Sequence, residues 1–173
     1  EAMLDNTGQE EITFSSLSSS DYQSLPELTD CLIEKMDNNH VNISLPSLRI
    51  DAFSLDVMQK IQDIKKNSLT FAPEAGTQRL RDVINKGLTK ENILNGSLQA
   101  FLGGWNKVKL YFMMGLPTET YDDITGIADL SEEISELYFA NIPKEKRDGR
   151  VMVSASASYF VPKPFTPFQW APM

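Results

Sequence analysis

Cysteine and histidine are nearly missing from this sequence, where Cys31 and His40 are the single residues of their types. One thiol cannot form an internal disulfide, and one thiol with one imidazole completes neither a zinc knuckle nor the cysteine set of an iron-sulfur cluster. His40 is the single histidine and has no acid-base partner nearby in sequence, which argues against a Ser-His-Asp triad and a histidine-rich metal site. No apolar run approaches the ~20 residues of a membrane span. There is no P-loop and no G-x-G-x-x-G. Basic clusters are absent too: 16 Lys and Arg against 24 Asp and Glu leave a net charge of −8, with the acids spread along the chain. That balance argues against non-specific nucleic-acid binding. Glu1 to Asp5 lacks the basic-then-apolar order of a signal peptide. With a single thiol, a reducing, cytoplasmic setting is the expectation.

What the chain does have is patterned apolar sequence. Its 173 residues, 41% of them hydrophobic, suit one domain over residues 1–173 with a substantial core, ending in a proline-rich tail over 162–173. Glu1 to Leu4 reads as a helix that stops at Asn6-Thr7-Gly8. Five β-type segments follow: Glu11 to Ser15, Val41 to Leu45, Ser68 to Ala72, Val108 to Met114 and Val151 to Val161. The fourth is almost wholly apolar, as in a strand buried on both faces of a parallel sheet.

Helical spacing fills the intervals. Leu28, Cys31, Leu32 and Met36 share a stripe entered at Ser24 and Pro26, which predicts a buried, structural thiol. Ser54 caps a helix with Val57, Met58, Ile61 and Ile64 on one face. Thr77 opens a helix with Leu80, Val83 and Ile84 inward, stopping at Lys86-Gly87. Thr89 opens another with Ile93, Leu94, Leu98 and Phe101, ending at Gly103-Gly104. Thr120 opens the longest, with Ile124, Ile127, Leu130, Ile134 and Leu137 as its stripe. Ile142 to Arg150 reads as an exposed loop. Strands alternating with helices imply parallel pairing, in an open wound sheet or in part of a (β/α) barrel.

In either architecture ligands bind beyond the carboxyl ends of the strands. Those ends hold Ser15 to Ser20, Pro46-Ser47-Leu48-Arg49, Pro73-Glu74-Ala75-Gly76-Thr77, Gly115-Leu116-Pro117-Thr118-Glu119-Thr120 and Val161-Pro162-Lys163-Pro164-Phe165. A carboxylate at Glu74 can accept from the two hydroxyls of a sugar, or simply complement a helix N-terminus. Arg49 can fork onto a carboxylate or make a surface ion pair. Gly115, with no Cβ, lets a flat ligand approach the backbone. Lys163 can reach an anion or serve only solubility. The serines can meet an amino group or be plain loop.

Together these phrases resemble the radical S-adenosylmethionine (SAM) proteins, specifically those often fused to a cobalamin-binding domain. The resemblance rests on Glu11 to Tyr22, Ser44 to Arg49, Thr70 to Gly76, Lys109 to Thr120 and Val161 to Trp170. It implies an α/β fold, an incomplete (β/α) barrel of about five parallel strands with intervening helices. These would be the second to sixth strands of a six-stranded partial TIM barrel. It also implies that a C-x-x-x-C-x-x-C loop holding a 4Fe-4S cluster belongs to a segment this chain lacks, so that the chain alone would be inactive. By the resemblance Ser16 and Ser18 meet SAM's amino group, Arg49 its carboxylate and Glu74 its ribose, while Gly115 and Val161 lie along the adenine. The intact protein would be an Fe-S oxidoreductase or transferase using SAM, the cluster and, in the fused subtype, cobalamin in a separate domain. Without the first strand, the edge near Ile12 to Phe14 would be free to pair in a homodimer. The alternatives are a small acidic α/β domain binding a nucleotide or partner protein, and an aldolase-type barrel with Lys163 as its strand-end lysine.

Overall fold

A computed structural model describes residues 6–8, 11–13, 22–36, 42–44, 69–147 and 149–172. Two compact units divide the chain, Glu1–Asn67 and Ser68–Met173. Ser16, Ser18, Arg49, His40 and the helix expected after Ser54 lie outside the described residues.

The first unit contains β1 (Glu11–Thr13), α1 (Leu25–Met36) and β2 (Asn42–Ser44). β1 and β2 pair in parallel, with Ile12 opposite Ile43, as a strand-helix-strand order predicts. Gly8 has φ +65°, the left-handed stop expected of it. Leu28 and Leu32, four residues apart on α1, are half-buried. Cys31 lies on the flank of that pair and is exposed, which corrects the expectation of a buried thiol.

The second unit is β3 (Leu69–Glu74), α2 (Gln78–Val83), α3 (Lys90–Leu102), β4 (Lys107–Met114), α4 (Tyr121–Asn141) and β5 (Met152–Tyr159), with a short 3-10 turn at Lys144–Lys146. Its sheet has the order β3-β4-β5, parallel throughout. Leu69 and Phe71 stand level with Val108 and Leu110, and β4 runs in unbroken register with β5 from Lys107 opposite Met152 to Met114 opposite Tyr159. The fold is therefore α/β around a parallel sheet.

Burial on β4 alternates. Val108, Leu110 and Phe112 are buried, whereas Lys109 is half-buried and Tyr111 exposed. The expected burial on both faces holds for one face only. On the other, Lys109 places its ammonium 4.8 Å from the Tyr111 ring centre, a pairing that tolerates solvent. The buried side joins Phe71, Ile93, Phe101, Leu130, Ile134 and Tyr138 in the core, each worth about 1.5–3 kcal/mol of transfer free energy. Phe101 and Tyr138 meet edge to face at 5.1 Å, tying α3 to α4.

Helix starts follow the caps read from sequence. The Thr77 hydroxyl accepts from the Leu80 N–H at 3.3 Å. Thr89 and Asn92 form a reciprocal capping box at 3.1 and 3.0 Å. Helix faces follow it less closely. The buried line of α4 is Asp123, Gly126, Leu130, Ile134 and Tyr138, leaving Ile124 39% exposed and Leu137 only half-buried. Val83 on α2 is exposed as well. At the far end of α4, Arg147 donates to the carbonyls of Ile142 and Phe139, both at 2.9 Å, satisfying the end of the helix. The proline-rich tail folds into consecutive turns, with Gln169 N–H donating to Thr166 at 3.0 Å and Ala171 N–H to Phe168 at 2.9 Å. No described helix is long and apolar enough to cross a membrane.

Candidate functional site

Parallel strands in register bring their carboxyl ends to one edge, so Glu74, Gly115 and Val161 share that edge of the three-stranded sheet. Glu74 is the last residue of β3 and stands opposite Phe112 after a register shift. Its φ is +68°, a left-handed value that costs a residue with a Cβ about 1–2 kcal/mol. Its carboxylate is half-buried, with Lys86 Nζ 3.2 Å from Oε1. Lys86 reaches it from the turn after α2, where Asn85 (φ +52°) and Gly87 (φ +65°) are left-handed.

The loop after β3 is pressed against α4. A Cβ added to Gly76 would overlap the Asp123 carbonyl oxygen and lie 2.7 Å from the Gly126 carbonyl carbon. Gly126 is the other half of the contact, since its own added Cβ would meet the Thr77 methyl at 2.9 Å. Gly76 is thus required by helix packing. From within α2, the buried Arg81 guanidinium donates to the carbonyls of Ala75 at 2.9 Å and Gly76 at 3.3 Å. Burial lowers its pKa, opposed by Asp82 and Glu91.

The loop after β4 is built differently. Gly115 has φ +82°, and a Cβ there would meet nothing within 4 Å, so the backbone faces open space. Its N–H donates to Glu119 Oε2 at 2.7 Å, which closes the loop on itself. Leu116 anchors it, packing with Ala75 and Leu80. Thr118 has φ +67°. After β5, the Phe160 N–H donates to the Met114 carbonyl at 2.8 Å, and Val161 follows, 54% exposed. Phe160 packs edge to face on Phe168 of the tail.

Arg79 and Asp123 join the first two loops. Arg79 donates to the Thr118 carbonyl at 2.9 Å, to its hydroxyl at 3.3 Å, and to Asp123 Oδ2. Asp123 is only 2% exposed, and accepts also from the Thr77 hydroxyl and from the N–H and hydroxyl of Thr120, both at 2.8 Å. Burial pushes its pKa up, but the hydrogen bonds from Thr77, Arg79 and Thr120 outweigh this and hold the carboxyl well below the usual carboxylate range. By sequence position Asp123 is only an acid in the first turn of α4, and nothing local marks Arg79. The Thr120-x-x-Asp123 spacing signals a capping box. Nothing local signals that the same carboxylate reaches Thr77 and Arg79.

The donor set fits an adenosyl group and does not fit an iron-sulfur cluster. A half-buried carboxylate beside an open glycine backbone suits a sugar diol and a flat ring. The lone cysteine is exposed, and no three His, Cys, Asp or Glu among the described residues gather as metal ligands.

Comparison with known proteins adds two findings. The family model of the radical SAM superfamily matches residues 1–131. An uncharacterized protein of Methanocaldococcus jannaschii is 38% identical over 149 residues, covering 86% of this chain and 29% of its own length. The chain thus spans less than a third of that relative.

Proposed function

This chain belongs to the radical SAM superfamily, and we propose that its strand ends hold the adenosyl part of SAM in a larger protein that carries the cluster. The observation that carries the reading is the common edge of Glu74, Gly115 and Val161. Glu74 accepts from the ribose hydroxyls. Lys86 contacts one of its carboxylate oxygens at 3.2 Å and so holds the side chain in place. Gly115 offers backbone to the adenine, whose outer face rests on Val161. The amino and carboxylate groups stay assigned to Ser16, Ser18 and Arg49 by family resemblance alone.

The chemistry supplied by bound SAM and a reduced 4Fe-4S cluster is reductive cleavage and hydrogen-atom abstraction from a substrate. The cluster ligands come from a segment of the longer protein outside this chain, because one cysteine cannot supply them. The cobalamin association and a cytoplasmic setting belong to the same proposal for the longer protein, as does an edge-paired dimer through β1.

Calorimetry of the chain with 5′-methylthioadenosine tests the site, since this probe has the ribose and adenine and needs no iron. Weak saturable binding is expected, reduced about tenfold in Glu74→Gln, which loses a charge-assisted pair of hydrogen bonds. Equal affinity in the variant would remove Glu74 from the ribose.

A further inference from the structure

Two non-glycine residues with left-handed backbone, Glu74 at the end of β3 and Thr118 in the loop after β4, lie at neighbouring strand ends. Such conformations persist where surrounding contacts over-determine them, and they concentrate at ligand clamps. The contacts at Thr118 come from Arg79, which takes both its carbonyl and its hydroxyl. The same guanidinium holds Asp123, and Asp123 holds Thr77, three residues after Glu74. Arg79 sits on α2, directly after the first loop, and Asp123 on α4, directly after the second.

We infer that Arg79 and Asp123 are positioning residues: they clasp the loop after β3 to the loop after β4, and so set the spacing between Glu74 and Gly115 on which nucleoside affinity depends. The inference rests on the nucleoside reading above. Neither residue touches the ligand. Arg79 faces the clasp with a side chain about half exposed, at 49%, so truncating it leaves the core intact. Its donors are taken up by Thr118 and Asp123, while the space at Gly115 is open. A contact needed for folding alone would be met equally well by apolar packing. A fork of charged hydrogen bonds instead fixes both distance and direction between two backbones.

The test compares Arg79→Gln, Asp123→Asn and, as a stability control on α4, Leu130→Ala, all in the 173-residue chain. Affinity for 5′-methylthioadenosine is measured by calorimetry at a temperature where each variant is fully folded, beside amide exchange of residues 115–120 without ligand. Arg79→Gln and Asp123→Asn are expected to bind about tenfold more weakly and to exchange faster in that loop. Leu130→Ala is expected to melt earlier yet bind like the wild type. Arg79→Lys, which keeps the charge and loses the fork, is expected to recover part of the affinity. Binding that depends on Glu74 and is unchanged in Arg79→Gln overturns the inference and leaves the nucleoside reading standing. An affinity loss equally large in Leu130→Ala overturns it too, since the effect would then be general loosening. Absence of binding by the wild type overturns the nucleoside reading, and this inference with it.

Discussion

The loops after β3 and β4 lie side by side and are held by opposite means. The first is held by exclusion: Gly76 meets α4 backbone to backbone, and the buried Arg81 takes its carbonyls. The second is tied farther along by Leu116 and the Arg79 fork at Thr118, but its first residue is held only by a carboxylate closing on the Gly115 N–H, with open space at that residue. A loop without room to move presents a carboxylate at a defined place. A loop with room beside a bare backbone can admit a flat ring. The difference separates two uses of glycine, one for close approach and one for a left-handed turn.

The largest expected effect breaks the first loop. Gly76→Ala drives a methyl into the backbone of α4, which cannot yield as a flexible side chain does, and should cost about 3 kcal/mol or more. A thermal midpoint within two or three degrees of the wild type would show that α4 can shift away. Next is Asp123→Asn. The folded-state pKa of Asp123 is depressed, so its contribution is complete above the ordinary carboxylate range and is lost as pH falls below about 4. The variant should be about 1.5–3 kcal/mol less stable at pH 7, with the gap narrowing in acid. Denaturant titrations at pH 7 and pH 3 give the gap, and one that widened in acid would reverse the assignment. Gly115→Ala should do least, about 1 kcal/mol, because it pays for the left-handed backbone alone. A loss matching Gly76→Ala would erase the contrast between the loops.

Much of the second unit was legible because its signals are local. The threonine caps at 77 and 89, the stop at Gly103, and the three strand segments of this unit depend on residues within a turn or two of one another, whereas α2 reaches its cap at Ile84, ahead of the expected stop at Lys86-Gly87. The placement of Glu74, Gly115 and Val161 at or just beyond strand ends was legible for the same reason. Arg79 was not, since its partners lie 39 and 44 positions away. The α4 face was misread by less than a quarter turn. Its apolar pattern favours Ile124, but the Gly76–Gly126 contact turns the helix so that Asp123 points inward.

By itself the sequence determined that strands and helices alternate, that the strand ends carry the polar and glycine residues, and that no cluster-binding cysteine set exists in the chain. Those follow from periodicity, backbone preference and counting. Only tertiary structure decided which side of β4 is open, that Cys31 is exposed, and that one buried carboxylate ties two loops together. Each of these depends on which surface meets which, and residues far apart in sequence settle that through volume and hydrogen-bond direction.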